Sequence, residues 1–211
     1  MIAYASNTQG KRNLAALHAA GWHILLTPGK HAEPPAGFFY AIDNGAWAAY
    51  RNGTPFDGDG FAELVDRHGG GAEFVIIPDK VAEGNASLEF SKSWLERLRH
   101  LRLILLPVQD GMDPRDVGAL LERHPRMGIF LGGTTDYKLR TMHGWGMVAF
   151  AMRRYYHVGR VNTVKRIRLC AEAGADSFDG TSATMYSCTV PMLNRARLQP
   201  SLLSPGSGAC G

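Results

Sequence analysis

Short apolar runs of strand length recur along the chain, and between them lie longer stretches whose apolar residues fall at three- and four-residue spacing. Eight runs have strand character, at residues 2–5, 23–26, 38–42, 74–77, 103–106, 128–131, 155–158 and 176–178. Helices are predicted over 11–20, 60–68, 86–100, 114–123, 137–150, 163–173 and 189–197, the fourth opening on Asp113-Pro114, a pair that caps and starts a helix. Only the second connection, 27–37, lacks a helical pattern. Strands that alternate with helices imply parallel pairing through right-handed crossovers. Eight such units favour closure over an open sheet. The expected fold is therefore α/β, a compact (β/α)8 TIM barrel forming one domain over residues 1–200, with a flexible tail at 201–211 rich in Gly and Ser.

Composition narrows the class without naming it. The 211 residues are 45% hydrophobic and 20% charged, enough for one sizeable core and too mixed in sign for a disordered polyelectrolyte. Lys and Arg number 23 against 19 Asp and Glu, with basic pairs at Lys11-Arg12, Arg153-Arg154 and Lys165-Arg166. This bias admits a polyanionic partner but does not require one, since Arg on outer helix faces is ordinary surface. Cys170, Cys188 and Cys210 are odd in number and widely spaced, which speaks against a disulfide scaffold and against structural zinc. The first residues lack the basic-then-apolar pattern of a secretory leader, and no apolar run reaches the length of a membrane span. A cytoplasmic location and no membrane partner are expected.

In a closed barrel the C-terminal ends of all strands open on one mouth, so the residues just after each strand are the candidate chemistry. Asp43-Asn44-Gly45-Ala46-Trp47 follows the third strand, Pro78-Asp79 the fourth, Gln109-Asp110-Gly111 the fifth, Gly132-Gly133-Thr134-Thr135 the sixth, Gly159-Arg160 the seventh and Asp179-Gly180 the eighth. A lone Asp after a strand is most often a helix cap or turn former. Three of them in register with Gln109 and a Gly-Gly pair weaken that reading. Asp176 competes with Asp179; alternation is taken to put both on one face of the last strand, and Asp179 is preferred because it stands nearer the mouth. Two carboxylates in one cleft suit glycosidic chemistry, one attacking the anomeric carbon and the other moving protons. An Asp, a Gln and glycine-bared backbone amides suit the edge of a planar heterocycle, and Trp47 its face.

These motifs, with His157-Val158-Gly159 and Gly174-Ala175-Asp176-Ser177-Phe178-Asp179, run in an order that resembles the tRNA-guanine transglycosylase superfamily along most of the chain. The resemblance implies a (β/α)8 barrel that exchanges guanine for a 7-deazaguanine through a covalent glycosyl-enzyme intermediate. It makes Asp179 the nucleophile and Asp43 the general acid/base. It also puts Trp47 against the base, Asp79 and Gln109 on the guanine edge, Gly132 and Gly133 at the base pocket, and Val158-Gly159 on the ring's other face. The family's tRNA-acting members carry a zinc site of three Cys and one His beyond the nucleophile; here only Cys188 and Cys210 follow Asp179, and no His. No metal or other cofactor is therefore expected, and the chain looks most like the short, zinc-free branch of bacteria and phages that places 7-deazaguanines such as 7-cyano-7-deazaguanine in DNA.

The partners implied are nucleic acid, DNA favoured over tRNA, and a free 7-deazaguanine base, with a protein partner supplying further nucleic-acid surface as an additional expectation. Arg153, Arg154, Arg160, Lys165 and Arg166 are taken to flank the seventh-strand mouth and to neutralise phosphates, Arg160 being best placed. The alternatives are a hydrolase of the N-glycosidic bond, a catalytically dead nucleic-acid-binding barrel, and a metabolic barrel holding phosphate at Gly132-Gly133-Thr134-Thr135.

Overall fold

In the computed structural model, which describes residues 1–29 and 32–199, eight parallel strands close into a barrel surrounded by helices. They are β1 (Ile2–Ser6), β2 (His23–Leu26), β3 (Tyr40–Ile42), β4 (Val75–Ile76), β5 (Ile104–Val108), β6 (Met127–Leu131), β7 (Tyr156–Val158) and β8 (Ser177–Gly180). Each coincides with one of the eight predicted runs to within two residues at either end. Strands pair in chain order, and β1 against β8 closes the ring, with Ala3 opposite Phe178 and Tyr4 opposite Asp179. The tail expected at 201–211 lies outside the described residues.

Because successive side chains on a strand point to opposite faces, the apolar residues divide into two cores. Ala3, Ile24, Ile42, Val75, Ile129, Val158 and Phe178 point outward and pack under the helices. Tyr4, Leu25, Ala41, Phe74, Ile76 and Leu105 point inward and fill the barrel, with Phe130 and Tyr155 against them. The same rule corrects the reading of the last strand. Asp176 and Asp179 are three positions apart and so face opposite sides; Asp176 is exposed just before β8, where its carboxylate accepts the Tyr156 N–H at 2.8 Å.

The helices are α1 (Lys11–Ala19), α2 (Ala46–Asn52), α3 (Gly58–His68), α4 (Asn85–Ser93), α5 (Leu95–Leu98), α6 (Pro114–Arg123), α7 (Thr135–Met152), α8 (Val164–Glu172), α9 (Ser182–Met185) and α10 (Val190–Leu198). Among the described residues no helix joins β2 to β3, as expected, and no helix is long and apolar enough to cross a membrane. The short α2 and α9 have no counterpart among the predicted helices. α2 is too short to display a helical period; it is bounded instead by Gly45 and Gly53, whose φ of 81° and 64° glycine adopts at little cost. The single helix expected over 86–100 is interrupted at Trp94, whose indole packs edge-on against Phe61 at 5.4 Å and Phe56 at 6.1 Å.

One glycine sets how closely two helices approach. A Cβ on Gly146, in the middle of α7, would lie 1.9 Å from the carbonyl oxygen of Ala173, at the end of α8. Backbone cannot give way as a side-chain tip does. Gly146→Ala is therefore expected to destabilise the fold by about 1–3 kcal/mol despite the better helix propensity of Ala. Thermal unfolding checks this: an unchanged midpoint would mean that the contact relaxes freely.

Candidate active site

The C-terminal ends of the strands open on one cavity of about 120 Å3, several times the ~10–15 Å3 that a single water needs. Asp43, Trp47, Asp79, Gln109, Gly132, Gly133, Arg160 and Asp179 all line it, together with Ser6, Thr27, Asn44 and Phe130. Residues far apart in the sequence thus converge, because parallel strands place every post-strand residue at the same end.

Asp43 and Asp79 form the first half of the site. Asp43 directly follows β3, and the backbone N–H groups of Gly45 and Asn44 beside its carboxylate favour the charged form. Burial, and then the nearby charges of Asp179 and Asp79, push its pKa up to about 7. The Asp79 carboxylate accepts the Asn44 amide at 2.8 Å on one oxygen and the Gln109 amide at 3.1 Å on the other. Burial still raises it to about 6, the two amides pulling the other way. Asn44 is itself pinned, donating to the Ile77 carbonyl at 2.7 Å and accepting the Ala46 N–H at 2.8 Å. Gln109 is 1% exposed and already engaged at both ends: its amide N–H groups go to Asp79, Lys80 O and Ser87 Oγ, and its oxygen accepts from Ala82 N. It thus holds Asp79 in place rather than offering free donors and acceptors to a ligand.

Asp179 anchors the other half. One carboxylate oxygen accepts the Arg160 N–H at 3.1 Å, and the other lies 3.0 Å from His157 Nε2. Arg160 delivers that N–H from a left-handed backbone, φ 59°, a conformation uncommon for a residue with a side chain and characteristic of constrained sites. Its guanidinium lies over the Trp47 ring, 3.7 Å from the centroid, and donates to Gly133 O. Trp47 also stacks on Tyr50 at 5.8 Å. One face of the Trp47 ring is therefore occupied, and a base can use that face only if the guanidinium moves.

The chain matches no protein-family model and no curated protein. The functional reading therefore rests on the residues themselves.

Several predicted residues lie elsewhere. Val158 points outward into the shell beneath the helices, and Gly159 shares a separate small pocket with Lys138 and Arg166 outside the mouth cavity. Arg153 and Arg154 do not flank the mouth. They follow α7, which has run back to the opposite end of the barrel, and the Arg154 guanidinium donates there to Leu121 O and Pro125 O. Lys165 and Arg166 lie in the first turn of α8, on the mouth side. Gly132 is less bare than expected, since its N–H continues the ladder to Val108 O at 2.9 Å.

Other groups of the site lie outside the predicted set. Asn44 is the donor that orients Asp79, and His157 is the interior partner of Asp179. Outside the mouth cavity, in the small pocket beside Gly159, Lys138 is 5% exposed, donates to Gly159 O at 2.6 Å, and is pulled down by burial to about 8. Strand parity carries the signal for His157: it lies on the opposite face of β7 from Val158 and on the same side as Tyr155, just before the strand. Among the described residues no group of three His, Cys, Asp or Glu is arranged to hold a metal ion; Cys170 is buried, Cys188 is exposed, and Cys210 lies outside the described residues.

Proposed function

We propose that this protein is a base-exchanging transglycosylase that replaces guanine in nucleic acid, DNA in preference to tRNA, by a 7-deazaguanine. The observation that carries the reading is the unequal pair in one cavity: Asp43, half-buried and keeping its proton up to about pH 7, and Asp179, whose two oxygens are both met by hydrogen-bonding groups. Carboxyl groups in environments this different take different roles, one as acid and one as nucleophile.

In this reading the target nucleotide is extruded into the mouth. An Asp179 oxygen attacks C1′, the C1′–N9 bond breaks, and its electron pair leaves with guanine, which takes the Asp43 proton. The incoming 7-deazaguanine returns a proton to the Asp43 carboxylate, and its nitrogen displaces Asp179 from C1′. Two displacements restore the original configuration. Asp79, held by Asn44 and Gln109, accepts N–H groups of the base, and Arg160, which lines the cavity, is assigned the sugar-phosphate.

The direct test supplies the protein with guanine-containing DNA or with tRNA and labelled 7-cyano-7-deazaguanine. Incorporation into DNA is expected. Release of guanine without incorporation would make the protein a hydrolase, and inertness with both polymers would overturn the reading. Asp79→Ala is expected to weaken binding of the free base tenfold or more, since a hydrogen bond to a charged group contributes about 1.5–3 kcal/mol. Equal affinity by calorimetry would remove Asp79 from base recognition.

A further inference from the structure

Charge is distributed unevenly around the mouth. In the loops and first helical turns that follow β4, β5 and β6, the rim carries Glu83, Asp110, Asp113, Asp116 and Asp136, with Lys80, Arg115 and Arg140 among them. Lys80 pairs with Glu83 at 3.7 Å, and Asp116 and Asp136 stand in the first turns of α6 and α7, where a helix end favours negative charge. Over β7, β8 and β1, which are neighbours around the closed ring, the sign reverses. Residues 1–29, 159–171 and 180–199 contain no Asp or Glu. Apart from Asp179, at the cavity itself, this side of the rim has no carboxylate among the described residues.

Cations stand at both edges of that side. Lys165 and Arg166 lie in the first turn of α8, and Lys11 and Arg12 open α1; neither helix has an acid in its first turn. A cation at a helix N-terminus adds to the positive end of the dipole and is unfavourable there. Two helices on the same side of the mouth thus carry a basic pair where an acid would serve stability better. Lys11, Arg12 and Lys165 are exposed and Arg166 is partly so, and among the described residues no ion pair neutralises any of the four.

Between the two pairs, α9 is tied to the mouth end of β1. Thr184 Oγ1 donates to Ser6 O at 2.9 Å, and the Asn13 amide of α1 donates to Thr184 O. Met185 and Tyr186, at the end of this anchored turn, are 63% and 57% exposed. An aromatic ring presented to solvent between unpaired cations offers a stacking face next to charges that attract phosphate.

We infer that the nucleic-acid substrate crosses this side of the mouth as a single strand. Lys165 and Arg166 hold its phosphates at one edge and Lys11 and Arg12 at the other, and a base beside the extruded nucleotide stacks on Tyr186. The polyanion is nucleic acid because the base-exchange reading, on which this inference rests, puts a nucleotide in the adjoining cavity. A single strand is favoured over a duplex because bases stacked within a duplex present no face to a tyrosine. The acidic rim over β4 to β6 repels phosphate and confines the strand to the basic side.

The test reads binding rather than exchange. Fluorescence anisotropy of a labelled single-stranded DNA, and of the same sequence as a duplex, gives the affinity of the full chain as a function of salt. In Lys11→Ala/Arg12→Ala, and in Lys165→Ala/Arg166→Ala, the single strand is expected to bind at least about tenfold more weakly at low salt. The slope of log affinity against log salt should fall by roughly 1.4 in each, two phosphate contacts at about 0.7 apiece. Tyr186→Ala is expected to weaken the single strand about fivefold or more with the slope unchanged, and the duplex not at all. Arg115→Ala/Arg140→Ala, which removes the same charge from the acidic rim, should stay within about twofold of wild type. Equal losses from the two rims, or binding to phosphatidylserine vesicles in place of DNA, would overturn the inference. A protein that binds DNA along this path yet exchanges no base would leave the path standing and remove the base-exchange reading. Full affinity and exchange in both basic-pair variants would do the reverse.

Discussion

Replacing Asp179 by Asn is expected to reduce incorporation of labelled base by at least about a thousandfold, the scale on which removal of a covalent nucleophile acts. The amide oxygen carries no charge to attack C1′. The fold should persist, since the Asn side chain still offers an oxygen to the Arg160 N–H and fills the same volume at the end of β8. Wild type mixed with its nucleic acid should give an adduct that survives denaturation, and Asp179→Asn should give none. An adduct of undiminished yield in the variant would place the nucleophile elsewhere.

Asp43→Asn should cost about 10²–10⁴ in rate, the usual contribution of a positioned acid, and the pH behaviour makes the result specific. Asp43 titrates at about 7, so where proton delivery to the leaving guanine limits the rate, wild-type exchange should fall as pH rises above 7. The effect on stability has the opposite sign. A carboxyl raised from 3.8 to about 7 takes up a proton on folding, so its contribution to stability is fully present below about 3.8 and is lost as pH rises through 7. Asn removes that loss, and Asp43→Asn should melt above wild type at pH 8, with the gap closing toward pH 5. An inactive variant that is more stable than its parent excludes misfolding as the cause. A variant less stable at pH 8 would contradict the assignment of Asp43 as an acid that keeps its proton up to about pH 7.

Much of this site can be found in the sequence because of how a parallel barrel is built. Strand runs such as 23–26 and 128–131 are apolar nearly throughout because both faces are buried, and such runs stand out even where no alternation marks them. Once eight are counted, the residue after each run must lie at the mouth, and Asp43, Asp79, Gln109 and Asp179 can be placed there without any knowledge of their contacts. The limits of that rule are equally physical. It places a residue at the mouth but does not say which way its side chain turns: Val158 ends a strand like the others yet packs outward under the helices. Arg153 and Arg154, next to β7 in sequence, lie at the wrong end because they precede the strand rather than follow it. α2 escapes a periodicity search since seven residues span about two turns, although the two glycines that bound it are plain in the sequence.

The sequence by itself determined the barrel, the order of its strands and the set of carboxylates at its mouth, because hydrophobic spacing and chain order fix these before any long-range contact forms. The tertiary structure alone decided what each group does there. Gln109 became a support because Ala82, Lys80 and Ser87 use up its hydrogen bonds, and Arg160 became a cover for Trp47. Asp43 keeps its proton to about pH 7 because burial and then the charges of Asp179 and Asp79 disfavour its ionised form. Asp179 gained a fully buried partner in His157, which Ser177 holds from its other ring nitrogen. These properties depend on desolvation and on hydrogen-bond capacity shared among residues far apart in the chain, quantities that exist only once the barrel is closed.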